Sequence, residues 1–510
     1  MKLVATLLMG SMLIVSSIVS ANPPVKTNKT ARFYVSHFEN VLGTSMELKT
    51  LTISEKQAGI AEKAALVEIA RLSKILSAYD AGSEFSKWLK TFQQPIPVSK
   101  ELFAVLYLFD QWRERSNGAL DASAEVVGKL WKQAAKKGQV PTPEALANAV
   151  AEVKQTHWKL DAATQTASHL SNAPLMLNSF AKSYIIKSAA DAAMAAAKVN
   201  GIIVNIGGDL VIAGDLTETV QVSDPKADAE NDMPLARLVI HNKAIATSGN
   251  YRRGELIGGH WYSHIVDPRT GQPADDVLSA TVVASSATDA GALATAFNVM
   301  KPAESVTLAA TLPGVEYLII TRSGNRIESK EWKTLEAPSL TTEINKTNIT
   351  GNTIAEKDWK NELAISLELN QQQGFAKRPF AAIWVENKDK ATVKTIALWY
   401  NKPRWLPDVR EWYRRNGGLL STDPAAFSSI TSATRSPGKY SLKWDGKDDK
   451  GNTLKPGVYT IYIEVVREHG GYDLLHQEVD CNEIPQLFNL KGNVEIAGAS
   501  LDYRKKSTGN

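Results

Sequence analysis

Four kinds of polar side chain surround one predicted turn in the middle of the chain. The stretch Tyr262-Ser-His-Ile-Val-Asp-Pro-Arg-Thr-Gly271 sets a hydroxyl, an imidazole, a carboxylate and a guanidinium around a strand-to-turn transition that proline and glycine close. A hydrophobic core does not need these four polar groups together, and their combination is typical of a functional site. We expect His264 to act as a proton acceptor or a phosphate contact, with Asp267 beside it. A lone histidine is more often structural, and only its neighbours favour a functional role here.

A glycine-rich turn is the second candidate. Asn205-Ile-Gly-Gly-Asp209 follows a predicted strand over 202–205, and its two glycines would let the backbone approach an anionic or planar ligand. Lys182 precedes a predicted helix over 184–198, so its ammonium could join the helix N-terminus in holding a diphosphate. Alone, Gly-Gly-Asp fits an ordinary tight turn and Lys182 fits a surface lysine. A third polar stretch spans 244–251.

The order and spacing of these blocks resemble the FAD:protein FMN transferase family, often called the ApbE family. The resemblance implies that a target threonine hydroxyl attacks the flavin-side phosphorus of FAD, that AMP leaves, and that FMN stays attached through a phosphoester. It also implies magnesium, held by carboxylates, to neutralise the diphosphate. The contacts implied for FAD are Thr44, Tyr79, Ala119, Leu120, Asp121, Lys182, Asn205, Gly207, Gly208, Asp209, Thr247, Ser248, Gly249, His264 and Ile265.

The sequence departs from the family pattern where magnesium ligands are expected. The family's Asp-Leu-Gly-x-Ile-Ala-Lys-Gly corresponds to 176–183, and its Asp-Ala-Leu-Ala-Thr corresponds to 291–295. Met176 and Gly291 therefore stand where the family has aspartates. The remaining candidate ligands are the Ser179 carbonyl, Thr295 and Asp289. Asp289 could substitute only in a loop, because two residues along a helix turn by about 200°.

Two hypotheses about function follow from the resemblance. The first is an exported enzyme that moves FMN from FAD onto a protein threonine or serine. The second is a catalytically degenerate flavin-binding or interaction protein, whose C-terminal domain docks a redox partner. The missing carboxylates favour the second hypothesis, whereas the intact 262–271 block favours the first.

A partial acceptor pattern lies near the C-terminal end of the chain. Ser428-Ser-Ile-Thr-Ser-Ala-Thr434 is similar to the pattern that these transferases modify, Asp-x-x-Ser/Thr-Gly-Ala-Thr/Ser, but serines replace its aspartate and glycine. Thr434 is thus a candidate FMN acceptor. An ordinary polar loop explains most such septets.

The N-terminus predicts export. Met1-Lys2, an apolar run over 3–19 and the small residues Val19-Ser20-Ala21 are typical of a signal peptide over 1–21, which places the protein in the periplasm or outside the cell without a stable membrane anchor. The net charge of +4 is spread among interleaved charges, so no nucleic-acid partner is expected. The expected partners are FAD and an acceptor protein or redox partner. The single cysteine, Cys481, excludes an intrachain disulfide.

The length of 510 residues predicts two or three domains. Helical periodicity over 54–78 and 99–117, together with strands near the N-terminus, predicts an α+β domain with mixed sheets over 30–335. A Thr-, Asn- and Lys-rich stretch predicts a linker over 336–360. Short alternating strands predict an all-β, sandwich-like domain over 361–497, which resembles a bacterial domain of unknown function, and a polar tail over 498–510.

Overall fold

The computed structural model describes residues 30–251, 253–337, 359–371, 378–400, 403–422, 431–432, 434–435, 437–468, 470–482 and 484–506. The predicted signal peptide and most of the predicted linker lie outside these ranges. The described residues form two domains, and the predicted order, an α+β domain followed by a β domain, is confirmed.

Seventeen strands belong to the described part of the N-terminal domain. They are β1 Arg32–Val41, β2 Thr44–Thr52, β3 Pro95–Pro97, β4 Trp158–Asp161, β5 Thr166–His169, β6 Gly201–Ile206, β7 Asp209–Gly214, β8 Thr217–Val222, β9 Ala236–His241, β10 Ala244–Gly249, β11 Gly254–Ile257, β12 His260–Ser263, β13 Val266–Asp267, β14 Gln272–Pro273, β15 Val277–Ala284, β16 Glu316–Thr321 and β17 Arg326–Glu328. An eight-stranded antiparallel sheet in the order β1-β2-β6-β7-β10-β15-β16-β17 forms the centre, and smaller sheets (β3-β5-β4, β8-β9, β11-β12 and β13-β14) surround it.

Nine helices accompany these strands in the described residues. They are α1 Glu55–Leu76, α2 Glu84–Trp88, α3 Lys100–Arg115, α4 Glu125–Lys137, α5 Pro143–Val153, α6 Ala181–Ala196, α7 Ala287–Val299, α8 Pro302–Ala309 and α9 Trp332–Leu335. The predicted helices over 54–78 and 99–117 are confirmed as α1 and α3. Helix α6 begins three residues earlier than predicted, so Lys182 lies within its first turn. No helix in the described ranges is long and apolar enough to cross a membrane.

Alternating side chains place the central sheet between two apolar layers. On β6, Ile202, Val204 and Ile206 face the core that α1, α6 and α7 cover, whereas Ile203 faces the opposite core under the β8-β9 ribbon. Alanines dominate the sheet-facing surface of α6, so this helix can approach the strands closely. The ends of α6, β7 and β10 therefore have fixed relative positions, which matters for the site described below.

The C-terminal domain is a two-sheet β-sandwich with one helix on its outer face. Its strands are β18 Asn361–Leu369, β19 Phe380–Glu386, β20 Thr392–Trp399, β21 Thr431–Ser432, β22 Gly438–Trp444, β23 Val458–Val466, β24 Tyr472–Asp480, β25 Gln486–Lys491 and β26 Ile496–Lys505, and its helix is α10 Arg410–Thr422. The sheets, β22-β18-β26-β25 and β21-β20-β19-β23-β24, enclose an apolar core. Helix α10, which the sequence did not predict, buries Trp412 against the outer face of β19 and β20.

The predicted tail begins too early. Residues 498–505 continue strand β26, which pairs with both β18 and β25. Leu501 and Tyr503 alternate with polar neighbours and are buried in the sandwich core, so the polar residues between them are the outward-facing half of a strand. Cys481 is buried in the same core, and desolvation raises the pKa of its thiol to about 12.

Charged side chains join the two domains. Lys443 of β22 forms an ion pair with Asp232 (Nζ to Oδ1, 3.1 Å) and another with Asp228, both in the connection between β8 and β9. In the same connection, the Glu230 carboxylate lies 2.9 Å from the guanidinium of Arg435. The C-terminal domain is therefore held against the N-terminal domain at several points.

Candidate functional site

The glycine turn between β6 and β7 packs on the β1-β2 turn. Gly207 and Gly208 have φ values of +61° and +94°, a region that favours glycine. The amide of Gly208 donates to Asn205 Oδ1 (3.2 Å), which closes the turn. A Cβ at position 207 would lie 2.7 Å from Cγ2 of Thr44, whereas nothing lies within 4 Å of a Cβ at position 208. A side chain at position 207 would thus clash with Thr44, whereas position 208 leaves open space beside the backbone.

Lys182 and Asp209 form an ion pair beside this turn. Nζ of Lys182, in the first turn of α6, lies 2.8 Å from Oδ2 of Asp209 at the start of β7. Oδ1 of Asp209 accepts from the Thr247 amide (3.3 Å), and the Thr247 hydroxyl lies 2.9 Å from the hydroxyl of Thr281. The carboxylate is largely enclosed while the ammonium is partly exposed. Asp209 therefore fixes a cation that faces solvent at the end of the sheet.

A side chain of helix α7 holds the end of strand β10 by a hydrogen bond. Nδ2 of Asn298 donates to the Ser248 carbonyl (3.0 Å), whereas its Oδ1 is buried without a hydrogen-bond partner in the described ranges. A Cβ on Gly249 would lie 2.6 Å from the ring of Tyr251, so this position accepts only glycine without rearrangement. The predicted residues Thr247, Ser248 and Gly249 thus form one edge of the site.

The side chains predicted from the earlier blocks divide into exposed and enclosed groups. Tyr79 exposes 79% of its surface, and its hydroxyl accepts from Nδ2 of Asn178 (2.8 Å). Ala119 and Leu120 are buried, and the Leu120 amide donates to a serine hydroxyl within their own turn. Asp121 is also buried, where its carboxylate pairs with Nε of Arg113 (2.7 Å) and caps a 3-10 turn. Tyr79 is accessible to a ligand, whereas the side chains at 119–121 hold the local fold.

The 262–271 block presents one imidazole to solvent. Nδ1 of His264 lies 3.0 Å from the Arg253 carbonyl, so we assign the ring proton to Nδ1 and an acceptor lone pair to Nε2. Desolvation lowers the pKa of His264, and the positive charges of Arg253 and Lys132 lower it further, which favours the neutral ring. The neighbouring Ile265 is half-buried, and its amide donates to Ser263 Oγ (3.0 Å).

Asp267 has a structural partner. Its Oδ1 accepts from the Arg269 amide (2.8 Å) and from Nε of the same residue (2.9 Å). The Arg269 guanidinium also forms an ion pair with the carboxylate of Glu304 (3.0 Å), a residue in the first turn of α8. Asp267 therefore stabilises the turn that follows His264, and no described contact joins it to the imidazole, so its predicted catalytic role gains no geometric support.

The residues predicted for magnesium do not form a metal site. The Thr295 hydroxyl donates to the carbonyls of Ser179 and Gly291 (3.2 Å each). Asp289 lies in the first turn of α7, so the loop that would let it replace a carboxylate at position 291 does not exist, and the prediction of Asp289 as a ligand is wrong. The described ranges contain no cluster of three or more His, Cys, Asp or Glu side chains that could hold a metal ion. The oxygen atoms that remain are two carbonyls and a hydroxyl that bonds to both, all uncharged, so this donor set lacks the carboxylate that magnesium prefers and does not fit the ion.

Thr434, the candidate acceptor, is enclosed. Its side chain is 1% exposed, and its hydroxyl has no hydrogen-bond partner in the part of the chain that the structure describes. The rest of the proposed acceptor septet lies outside the described residues, apart from the short strand β21.

Three polar residues that the sequence analysis did not select belong to this region: Thr281, Asn298 and Ser183. Thr281 contacts Thr247, Asn298 holds the end of β10, and Ser183 faces Gly291 across the α6-α7 contact. Asn298 was detectable as a polar residue in the largely apolar C-terminal half of α7, where Thr295 is the other polar residue. The pairing of Ser183 with Gly291 required the packing of the two helices.

The fold and the glycine turn define an α+β domain built on one central antiparallel sheet, and comparison with known proteins gives the family. Residues 42–319, more than half of the chain, match the ApbE family, and the chain belongs to it. Residues 361–498 match a domain described as "Predicted periplasmic protein (DUF2271)". The C-terminal β domain is thus a separate unit.

Several relatives carry the name FAD:protein FMN transferase. The Klebsiella pneumoniae protein is 25% identical over 349 residues, which cover 66% of this chain and 95% of the relative. The Treponema pallidum protein is 29% identical over 245 residues, 44% of this chain and 67% of the relative. Among solved structures, the ApbE protein of Thermotoga maritima aligns with 60% of this chain and 100% of its own, at 25% identity and a TM-score of 0.53.

Proposed function

We propose that the N-terminal domain binds FAD beside the Gly207-Gly208 turn, with the diphosphate next to Lys182. The Lys182–Asp209 pair carries this proposal, because a carboxylate holds a partly exposed ammonium at the edge of a surface that glycine leaves open. An ammonium so placed can offset the charge of a diphosphate without moving. The named activity of the relatives identifies FAD as the nucleotide to test.

Tyr79 supports a planar ligand. An exposed aromatic ring offers a face on which a flavin or adenine ring can stack, and the hydrogen bond from Asn178 fixes its hydroxyl. Asn178 precedes Ser179, whose carbonyl binds the Thr295 hydroxyl at the α6-α7 contact. The ring platform and the Lys182 region are therefore connected through a few residues of one segment.

FMN transfer is the second candidate function, and the names of the relatives favour it. In that reaction, the acceptor hydroxyl oxygen would bond to the flavin-side phosphorus, the bond from that phosphorus to the bridging oxygen would break, and AMP would leave. The hydroxyl proton would pass to a base, for which the neutral ring of His264 offers Nε2. Because the donor set does not fit magnesium, FAD binding without transfer agrees best with the geometry.

We place the protein in the periplasm on two grounds: the predicted signal peptide and the description of the matching C-terminal domain. A redox partner or a flavinylated acceptor protein would meet it there. Thr434 remains a prediction as an acceptor, and its enclosed hydroxyl would need the surrounding segment to open before any transfer.

One incubation separates these functions. The purified mature chain is mixed with FAD, bound flavin is measured after gel filtration, released AMP is quantified by chromatography, and intact mass reports any covalent FMN. Bound FAD without AMP supports the proposed function. AMP release with added FMN mass on a supplied acceptor or on Thr434 identifies the transferase instead. Failure to retain FAD contradicts both.

A further inference from the structure

Position 291 has no room for a side chain. Gly291 lies in the interior of α7, where glycine is less favourable than alanine for helix stability. A Cβ at this position would overlap the hydroxyl oxygen of Ser183 and would lie 3.0 Å from Cβ of Ser183 and 3.3 Å from Cβ of Phe180. Both neighbours belong to the start of α6. A side chain at position 291 would therefore require Ser183 to move, and glycine avoids this clash between the two helices.

Ser183 is an unusual residue for that contact. Its side chain is 3% exposed, and its hydroxyl has no hydrogen-bond partner within the described ranges. Enclosing such a hydroxyl without a partner is destabilising. The resembling family pattern has glycine at the position of Ser183 and aspartate at the position of Gly291, so this chain has the larger residue on α6 and the smaller one on α7.

The neighbouring oxygen atoms do not replace the lost carboxylate. The Thr295 hydroxyl and the Ser179 carbonyl bind each other, and Asp289 is separated from Gly291 by about 200° of helix rotation. A cationic side chain, Lys182, directly precedes Ser183 and is held by Asp209. Lys182 thus supplies a fixed ammonium, and the next residue, Ser183, fills the space beside Gly291.

We infer that Ser183 closes the divalent-cation position, and that this chain binds the diphosphate of FAD without a divalent cation. This inference rests on the proposed FAD binding, and it assigns to Lys182 the charge neutralisation that magnesium would otherwise supply. Ser183 acts here as a blocking residue and takes no part in chemistry.

Two measurements on the full mature chain test the inference separately. Electron paramagnetic resonance follows the free Mn²⁺ signal as protein is added, and tryptophan or flavin fluorescence follows FAD binding in the presence of Mg²⁺ or EDTA. For the wild-type chain, we expect an unchanged Mn²⁺ signal and FAD dissociation constants that agree within about twofold in the two buffers. Loss of FAD affinity in EDTA by about tenfold or more would overturn the inference while leaving FAD binding intact.

Variants identify the residue that closes the position. The double variant Ser183→Gly/Gly291→Asp supplies a carboxylate and the room to hold it, so we expect it to bind Mn²⁺ and to bind FAD more tightly in Mg²⁺ than in EDTA. Ser183→Gly alone opens the same space without a carboxylate and should not bind Mn²⁺. Failure of a folded double variant to bind Mn²⁺, or binding of Mn²⁺ by the wild type, would overturn the inference.

The Mn²⁺ measurement does not depend on FAD. If no form binds FAD but only the double variant binds Mn²⁺, the proposed function fails and the closure of the cation position by Ser183 stands. Circular dichroism of each variant establishes that it is folded before either measurement. Should the double variant not fold, the wild-type chain still tests the inference: Mn²⁺ binding by it, or loss of its FAD affinity in EDTA, would overturn the inference.

Discussion

Nζ of Lys182 lies 2.8 Å from Oδ2 of Asp209, and the same carboxylate accepts from the Thr247 amide. The enclosed Asp209, at the start of β7, thereby joins the first turn of α6 to strand β10. The Lys182 side chain is partly exposed, whereas the Asp209 side chain is largely enclosed. The arrangement of these three elements therefore fixes the position of the ammonium.

Replacement of Lys182 should weaken FAD binding. Lys182→Met keeps most of the side-chain volume but removes a charge-assisted contact, which is typically worth about 1.5–3 kcal/mol, so we expect the dissociation constant to rise by roughly 10- to 100-fold. Fluorescence titration with FAD measures the change. Lys187→Met is the matched control, because Lys187 lies on the same helix and pairs with Asp191 on an exposed surface. Equal effects of the two substitutions would contradict the assignment.

The two glycines of the β6-β7 turn should differ in their response to alanine. Both have positive φ values, which cost an alanine about 1–2 kcal/mol. At position 207 the new methyl group also meets Thr44, which adds about 1–3 kcal/mol of overpacking, whereas position 208 is open. Urea unfolding should therefore find Gly207→Ala less stable than Gly208→Ala. The opposite order would show that the β1-β2 turn moves away without cost.

The effect of Gly291→Ala on the free energy of unfolding should depend on the residue at position 183. In the wild-type background, Gly291→Ala introduces the overlap with Ser183 and should destabilise the protein by about 1–3 kcal/mol. In a Ser183→Gly background the space is open, so the helix preference for alanine should dominate and Gly291→Ala should be neutral or stabilising. A double-mutant cycle by urea unfolding measures the coupling energy. Additive effects would mean that the two residues do not share this space.

The buried histidine at the domain contact should make stability depend on pH. His37 of β1 packs edge-on against Tyr400 of the C-terminal domain, with ring centroids 5.3 Å apart. Desolvation, Lys49 and Arg435 lower the pKa of His37 to about 4, despite the carboxylate of Glu47 at 3.8 Å. Because the unfolded chain binds this proton near pH 6.5, the stabilisation is present above pH 6.5 and is lost as pH falls toward 4.

The His37→Gln variant isolates this contribution. Between pH 7.5 and pH 5, the wild type should lose about 2 kcal/mol more unfolding free energy than the variant, since glutamine does not titrate. Urea unfolding curves at the two pH values measure the difference, and all other titrating groups are common to both proteins. Parallel losses in both proteins would show that His37 is already protonated, or solvated, in the folded state.

The sequence predicted the local elements of the site better than their contacts. Helical periodicity located α1 and α3, and two glycines after an apolar strand located the β6-β7 turn. The family resemblance selected Lys182, Asp209 and Thr247, but only the sheet order brings β7 beside β10 and so makes these three residues neighbours. Local patterns carry no information about such a pairing between distant segments.

The remaining errors have the same physical origin. Residues 498–505 have the composition of a tail, and they form a strand because β18 and β25 provide partners on both sides. Trp412 lies on a helix whose apolar side is defined by the sheet beneath it. In each case, the composition is compatible with more than one local structure, and tertiary contacts determine which one forms.

Isothermal titration of the mature chain with FAD, compared with Lys182→Met and Lys187→Met, tests the central claim most directly. The account predicts one FAD per chain for the wild type and for Lys187→Met, with affinity reduced at least about tenfold in Lys182→Met. No FAD binding by the folded wild type, or an affinity that is the same in all three proteins, would contradict it.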